Sequence, residues 1–267
     1  MGKVVDLNCD LGESFGNYKC GMDEEIIPYI TSANVACGFH ASDPVVMQKT
    51  VAAAKASHVR VGAHPGFQDL VGFGRRNMYL SSDEITAIVE YQIGALSAFC
   101  TANGTRLQHV KPHGALYNMA VVDDKISDAI CKGIRAVDPS LILLAPGHSK
   151  LVEAAERYGL AAAREIFADR AYEEDGTLVS RKKPGALISN PDDVVDRVVQ
   201  MIKKGTVISI TGKEIPVTAD SVCVHGDGPS ALALVRSIRE GLRREGIRIA
   251  PLSQVICRER EASLKCS

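Results

Sequence analysis

Two imidazoles and an ammonium lie within the stretch from His109 to His113, read HVKPH. Such a set could hold a metal, move a proton or steady a developing negative charge. On a helix, the H-x-x-x-H spacing would stack both rings on one face and favour a shared ion. Pro112 and the apolar lead-in from Leu107 instead predict a strand over 107–112, in which four residues span roughly 13 Å. His109 and His113 therefore cannot share an ion. His109 reads as an inward polar residue of a strand, and His113, beside Lys111 at a Gly turn, is a site candidate.

The same polar alternation recurs elsewhere. Asp6, Asn8 and Asp10 fall on one side of the first apolar run, followed by Asn34, Ala36 and His40, by His109, Lys111 and His113, and by His225 and Asp227. Alternate residues of a strand point the same way. Apolar runs at 4–9, 32–37, 59–65, 107–112, 141–146, 161–165 and 221–226 alternate with segments of helical spacing at 43–57, 81–102, 123–137, 148–158, 191–204 and 229–245. Pro44, Ser81, Asn190-Pro191 and Pro229 supply helix starts, and Gly104, Gly159, Gly205 and Gly246 supply stops. Strand–helix alternation requires a parallel sheet covered by helices. A doubly wound sheet would be apolar on both faces. Polar residues from several strands on one shared side instead predict a barrel interior, with the site at the C-terminal strand ends. The expected architecture is a single seven-stranded (β/α) barrel, distorted or incompletely closed, over residues 1–250.

Composition bounds the rest. The chain has 267 residues, 46% of them hydrophobic, and a formal net charge of −1 with the signs interspersed. That balance gives no electrostatic case for nucleic acid or an anionic membrane surface. No apolar run reaches spanning length, and Asp6 and Asp10 interrupt the place where a signal peptide would need its apolar stretch. Gly2 follows Met, yet Asp6 stands where a myristoylation motif needs Ser or Thr. Eight scattered cysteines without a C-x-x-C pair argue against a zinc knuckle and fit a reducing, cytoplasmic location.

Six motifs carry a resemblance: DLNCDLGE (6–13), TSANVACGFHASDP (31–44), GAHPGF with DLVGFGRR (62–76), VKPHGALYN (110–118), EIFADRAYEEDGTLVSR (165–181) and CVHGDGP (223–229). In this order and at this length they resemble the LamB/YcsF family. Ser42 stands where a Gly is common, and Gly228 where Asn or Thr is common. The tail 251–267, ending CREREASLKCS, matches no family pattern. The resemblance implies a seven-stranded barrel of the glycoside hydrolase/deacetylase kind. It also implies a role with partner subunits B and C of a 5-oxoprolinase, opening 5-oxoproline to L-glutamate at the expense of ATP.

A five-membered lactam is a poor electrophile with a poor leaving group, so coupling to ATP is chemically reasonable. This chain has no G-x-x-x-x-G-K-[ST] loop; Gly212-Lys213 is followed by Glu214 and lacks the upstream Gly. ATP is therefore expected to be used by the complex and not bound here. Asp10, His40, His64, Lys111 and His113 are the expected catalytic set, suited to proton transfer and oxyanion stabilisation. Asn8, Arg76, Asn118, Glu165, Arg170, Arg181, His225 and Asp227 are the expected substrate-binding set, with Arg76 gripping the substrate carboxylate. Glu165, Asp169, Arg170 and Arg181 read equally well as a buried ion network. Asp10, His40 and His64 would also suit a Zn or Mn site, the trio used by related barrel deacetylases. Activation by ATP lessens the need for a Lewis acid, so no metal is assigned. Two other readings stay open: a self-sufficient metal-dependent amide hydrolase or deacetylase, and a non-catalytic binding subunit.

Overall fold

A computed structural model of the protein describes residues 2–224 and 231–264, with side chains described as far as 258. The chain begins with β1 (Val4–Leu11), the short α1 (Asp23–Ile26), β2 (Ser32–Ala36), α2 (Pro44–Ala56), β3 (Arg60–His64) and α3 (Ser82–Ala102). β4 (Leu107–Val110), α4 (Gly114–Val122), α5 (Asp124–Val137), β5 (Ile142–Pro146), α6 (Lys150–Arg157) and β6 (Ala161–Phe167) follow. After a long loop come α7 (Pro191–Lys204), the hairpin β7 (Thr206–Ile208) and β8 (Glu214–Pro216), and β9 (Ser221–Val224). The chain ends with α8 (Ala231–Arg244), β10 (Arg248–Ile249) and α9 (Leu252–Leu264).

Strands β1-β2-β3-β4-β5-β6-β9 pair in parallel, and β9 pairs back onto β1 in the register Asp6↔Ser221 to Cys9↔Val224. The result is the expected seven-stranded barrel, and it is closed. Its distortion is local. The β3–β4 register shifts between Val61 and Gly62, because the His109 imidazole lies where a Cβ on residue 62 would stand. Only a residue without a side chain lets that ring cross the barrel interior.

The helix starts use the capping chemistry of their sequences. Asp43 accepts hydrogen bonds from the Val45 and Val46 amides ahead of Pro44, Ser81 and Glu84 form a reciprocal capping box, and Asn190 caps α7. Ser42 has φ +73, the left-handed backbone that favours glycine. α3 is, among the described residues, the helix long and apolar enough to cross a bilayer, contrary to the sequence expectation that no run reaches that length. It is a barrel helix: Ile85, Val89, Ile93, Leu96 and Cys100 are buried in the main core. α4 and the β7–β8 hairpin are additions that the sequence spacing does not predict. In the segment set apart as a tail, α9 places Leu252 and Ile256 against Ile142, Leu144 and Ala163.

Candidate active site

The barrel interior is a ladder of polar side chains. At the bottom, Asp6 accepts hydrogen bonds from Ser221 (2.5 Å), Ser32 (2.6 Å) and Thr31 (2.8 Å). One rung higher, Asn8 donates to Ser221 at 2.7 Å, and Asn34 donates to both Asn8 and Asp10 at 2.8 Å. His109 Nε2 donates to Asn34 Oδ1 at 2.7 Å. Burial, and then the charge of Lys111, push its pKa down to about 3, so His109 is a neutral structural ring.

Burial raises the Asp6 pKa from 3.8 to about 6 despite its three hydroxyl donors. The native state therefore holds this proton more tightly than the unfolded chain. Stability from this group is present below the unfolded value and is lost as pH rises through 6. Measured against Asp6→Asn, the wild-type chain should lose on the order of 3 kcal/mol of relative stability between pH 4 and pH 7. Denaturant titrations of both chains across that range check it, and a flat difference would mean that Asp6 is not buried as a carboxyl.

Lys111 leaves β4 and crosses the barrel mouth. Its Nζ lies 3.1 Å from Asp10 Oδ1, 3.1 Å from Glu165 Oε2, 3.2 Å from Cys223 Sγ and 3.4 Å from Asn8 Oδ1. Burial alone would push its pKa down, but the carboxylates outweigh that and hold it well above the ordinary lysine value. Burial drives the Cys223 thiol well above its usual range, so it stays a neutral acceptor. Lys111 is thus a fixed cation, not a base. Glu165 is braced from its other oxygen by the Tyr117 hydroxyl at 2.5 Å.

Asp10 joins this cation to an imidazole, with Oδ2 lying 3.4 Å from His64 Nε2. His64 Nδ1 donates to the Lys111 carbonyl at 2.7 Å, which fixes the ring's orientation. Burial pulls the His64 pKa down, but the Asp10 charge and hydrogen bond more than offset this and raise it. His113 immediately precedes α4. Its Nε2 donates to the Phe73 carbonyl at 2.8 Å, and its Nδ1 faces His64 Nε2 at 3.0 Å. His40 stacks on His113 with ring centroids 3.6 Å apart. Burial drives His40 and His113 well below the ordinary histidine value, with further push from their neighbouring histidines. Glu13 lies against both rings, 3.3 Å from His40 Nε2 and 3.5 Å from His113 Nδ1. Glu13, His40, His64 and His113 offer four ligand atoms within 4.8 Å of one another, a cluster with the composition of a metal site.

Above these groups opens a cavity of about 460 Å³. Asp10, His64, Lys111 and His113 line its floor, and Asn118, Arg170 and Arg181 line its wall, so seven sequence-predicted residues meet there. Four others do not line it. Asn8 is fully buried one rung below, His40 is buried and stacked on His113, and Glu165 is buried beside Lys111. Arg76 does not line it either: its guanidinium pairs with Asp69 and pins the 69–76 turn, while neighbouring Arg75 lines the cavity. His225 and Asp227 lie outside the described residues. Glu13, Arg75 and Tyr117 are missed by the sequence reading.

The 168–190 loop closes one side. Arg170, buried, donates to the Val179 carbonyl at 2.7 Å, and Arg197 donates to the Arg170 carbonyl at 2.9 Å. The long loop thereby stands as a wall with Arg181 at its exposed edge.

Known proteins resemble this chain over nearly its whole length. The 5-oxoprolinase A subunit of Clostridium beijerinckii is 61% identical over 251 residues, 94% of this chain and 98% of that protein. Its counterpart of the same name in Bacillus subtilis is 56% identical over 250 residues, 94% of this chain and 97% of that protein. The crystal structure of the lactam utilization protein from Thermus thermophilus superposes with a TM-score of 0.88 at 46% identity, covering 92% of this chain and 98% of that one. A T48 deacetylase, at 13% identity and a TM-score of 0.50, shares the fold alone. The LamB/YcsF family model matches residues 5–257. A match over that span, on a closed seven-stranded barrel, means that the chain belongs to the LamB/YcsF family.

Proposed function

We propose that this chain is the A subunit of an ATP-dependent 5-oxoprolinase and opens the lactam of 5-oxoproline to L-glutamate. The observation that carries the reading is the Asp10 carboxylate, set between the Lys111 ammonium and the His64 imidazole on the floor of a pocket. Ring opening adds water across the C–N bond: the carbonyl oxygen gathers negative charge, water loses a proton and the ring nitrogen gains one. Lys111 stabilises the oxygen, and the Asp10–His64 pair accepts and returns the proton. Arg75, Arg170 and Arg181 give the substrate carboxylate a cationic wall.

The lactam needs activation that this chain does not supply. Gly212-Lys213 forms the turn of the β7–β8 hairpin, with Lys213 held by Glu174 at 3.1 Å. We assign ATP handling to partner subunits, identified with subunits B and C; the lettered names of the relatives, each one subunit of a larger enzyme, support this. Five buried thiols, Cys9, Cys37, Cys100, Cys131 and Cys223, suit a reducing, cytoplasmic setting. The test is glutamate release and 5-oxoproline-dependent ATP hydrolysis by the assembled complex, with and without this chain. Glutamate release should vanish without it, and the isolated chain should show no micromolar ATP affinity by calorimetry. Full glutamate release from the partners alone would overturn the assignment.

A further inference from the structure

The His64–His113 contact is incomplete as it stands. A carbonyl oxygen only accepts, so His64 donates from Nδ1 to Lys111 and His113 donates from Nε2 to Phe73. In the neutral rings the two remaining nitrogens, 3.0 Å apart, turn lone pairs towards each other. Two carboxylates close the space: Glu13 Oε1 lies 3.5 Å from His113 Nδ1, and Asp10 Oδ2 lies 3.4 Å from His64 Nε2. A proton on His64 Nε2 would satisfy one of these contacts; a metal ion beside Glu13, His64 and His113 would satisfy all three at once.

We propose that Glu13, His64 and His113, joined by His40, bind one divalent cation of the zinc class. Separations of 3.0 Å from His113 Nδ1 to His64 Nε2 and 3.5 Å to Glu13 Oε1 bracket the roughly 3.4 Å edge of a tetrahedron with metal bonds of about 2.1 Å. Imidazoles anchored through their far nitrogens to carbonyl groups are the usual arrangement of metal-ligating histidines. His40 must tilt out of its stack on His113 to join. Its Nδ1 is buried and has no hydrogen-bond partner among the described residues, so nothing fastens the ring from that side. Nitrogen-rich donors with one carboxylate select zinc-like ions over magnesium or calcium. Asp10 stays with Lys111 and Asn34, outside the set. This differs from the Asp10–His40–His64 trio that strand order alone suggests.

The ion's part in the reaction rests on the lactam-opening reading above; its binding does not. When bound, it would hold and acidify a water at the pocket floor. His64 Nε2 is then a ligand, and the proton-accepting member of its pair is Asp10.

The test uses the full chain, stripped with chelator and dialysed against Zn²⁺, with bound metal measured by mass spectrometry. A parallel loading with Co²⁺ is read by its visible absorption. Wild type should hold about one ion per chain and show the intense bands of low-coordinate Co²⁺. Glu13→Gln and His113→Asn should each weaken binding at least about 100-fold, whereas Lys213→Gln on the hairpin should not. Absence of stoichiometric binding and of Co²⁺ bands in wild type, a readout independent of how the variants fold, would overturn the proposal. Unchanged binding in both ligand variants would overturn it too. Turnover of the assembled complex on the same stripped samples separates the two readings. Binding without any dependence of glutamate release on this chain sinks the lactam reading alone, and full turnover of the stripped chain sinks the ion's part in the reaction alone.

Discussion

Asp10→Asn and His64→Ala are each expected to lower glutamate release by the assembled complex roughly 10²- to 10⁴-fold. The two side chains meet at 3.4 Å, and Asp10 is also held by Lys111 and Asn34. An amide at position 10 keeps the shape but loses both the charge that raises His64 and the lone pair that takes a proton. Because the residues act as one unit, the double variant should cost little more than the worse single one. Steady-state kinetics of the three variants, with assembly checked by gel filtration, give the answer. Additive losses would mean that the pair works as two independent groups, and wild-type rates would remove both from the chemistry.

Lys111→Met is expected to cost roughly 10²-fold or more in kcat while the chain still folds and joins its complex. Methionine keeps the volume and removes the charge. The change also leaves Asp10 and Glu165 facing each other without their common cation, so a loss of stability accompanies the loss of rate. The two effects separate cleanly: a purely structural lysine would lower the melting temperature and leave kcat intact in the folded fraction.

The barrel is legible in this sequence because its interior is polar. Alternate residues such as Asp6, Asn8 and Asp10 mark one face of a strand, which a doubly wound sheet would not do. Helix boundaries are legible where a cap states them, as at Asp43, Ser81 and Asn190. The site is legible only in part. His64, Lys111 and His113 stand at strand ends, where direction follows from register. Glu13 and Arg75 lie on turns, where direction depends on backbone torsions. Gly12 at φ +70 redirects the chain just before Glu13, and Phe73 at φ +53 with Gly74 at φ +64 decides that Arg75 faces the pocket while Arg76 folds back on Asp69. Sequence spacing carries no record of those angles. α4 escapes for another reason: it follows directly on a strand and runs into α5, so its short apolar run resembles the end of one element and the start of the next.

The seam between β1 and β9 has a consequence for synthesis. Asp6 finds one hydroxyl donor 26 residues away, in Ser32, and another 215 residues away, in Ser221. A nascent chain emerging from the ribosome therefore carries most of a barrel whose lowest carboxyl is half satisfied and whose first strand has an open edge. Neither is repaired until the last fifth of the polypeptide arrives. Closing contacts of such long sequence separation slow folding and prolong the exposure of sticky strand edges. Until then, the partial barrel depends on whatever shields that edge in the cell.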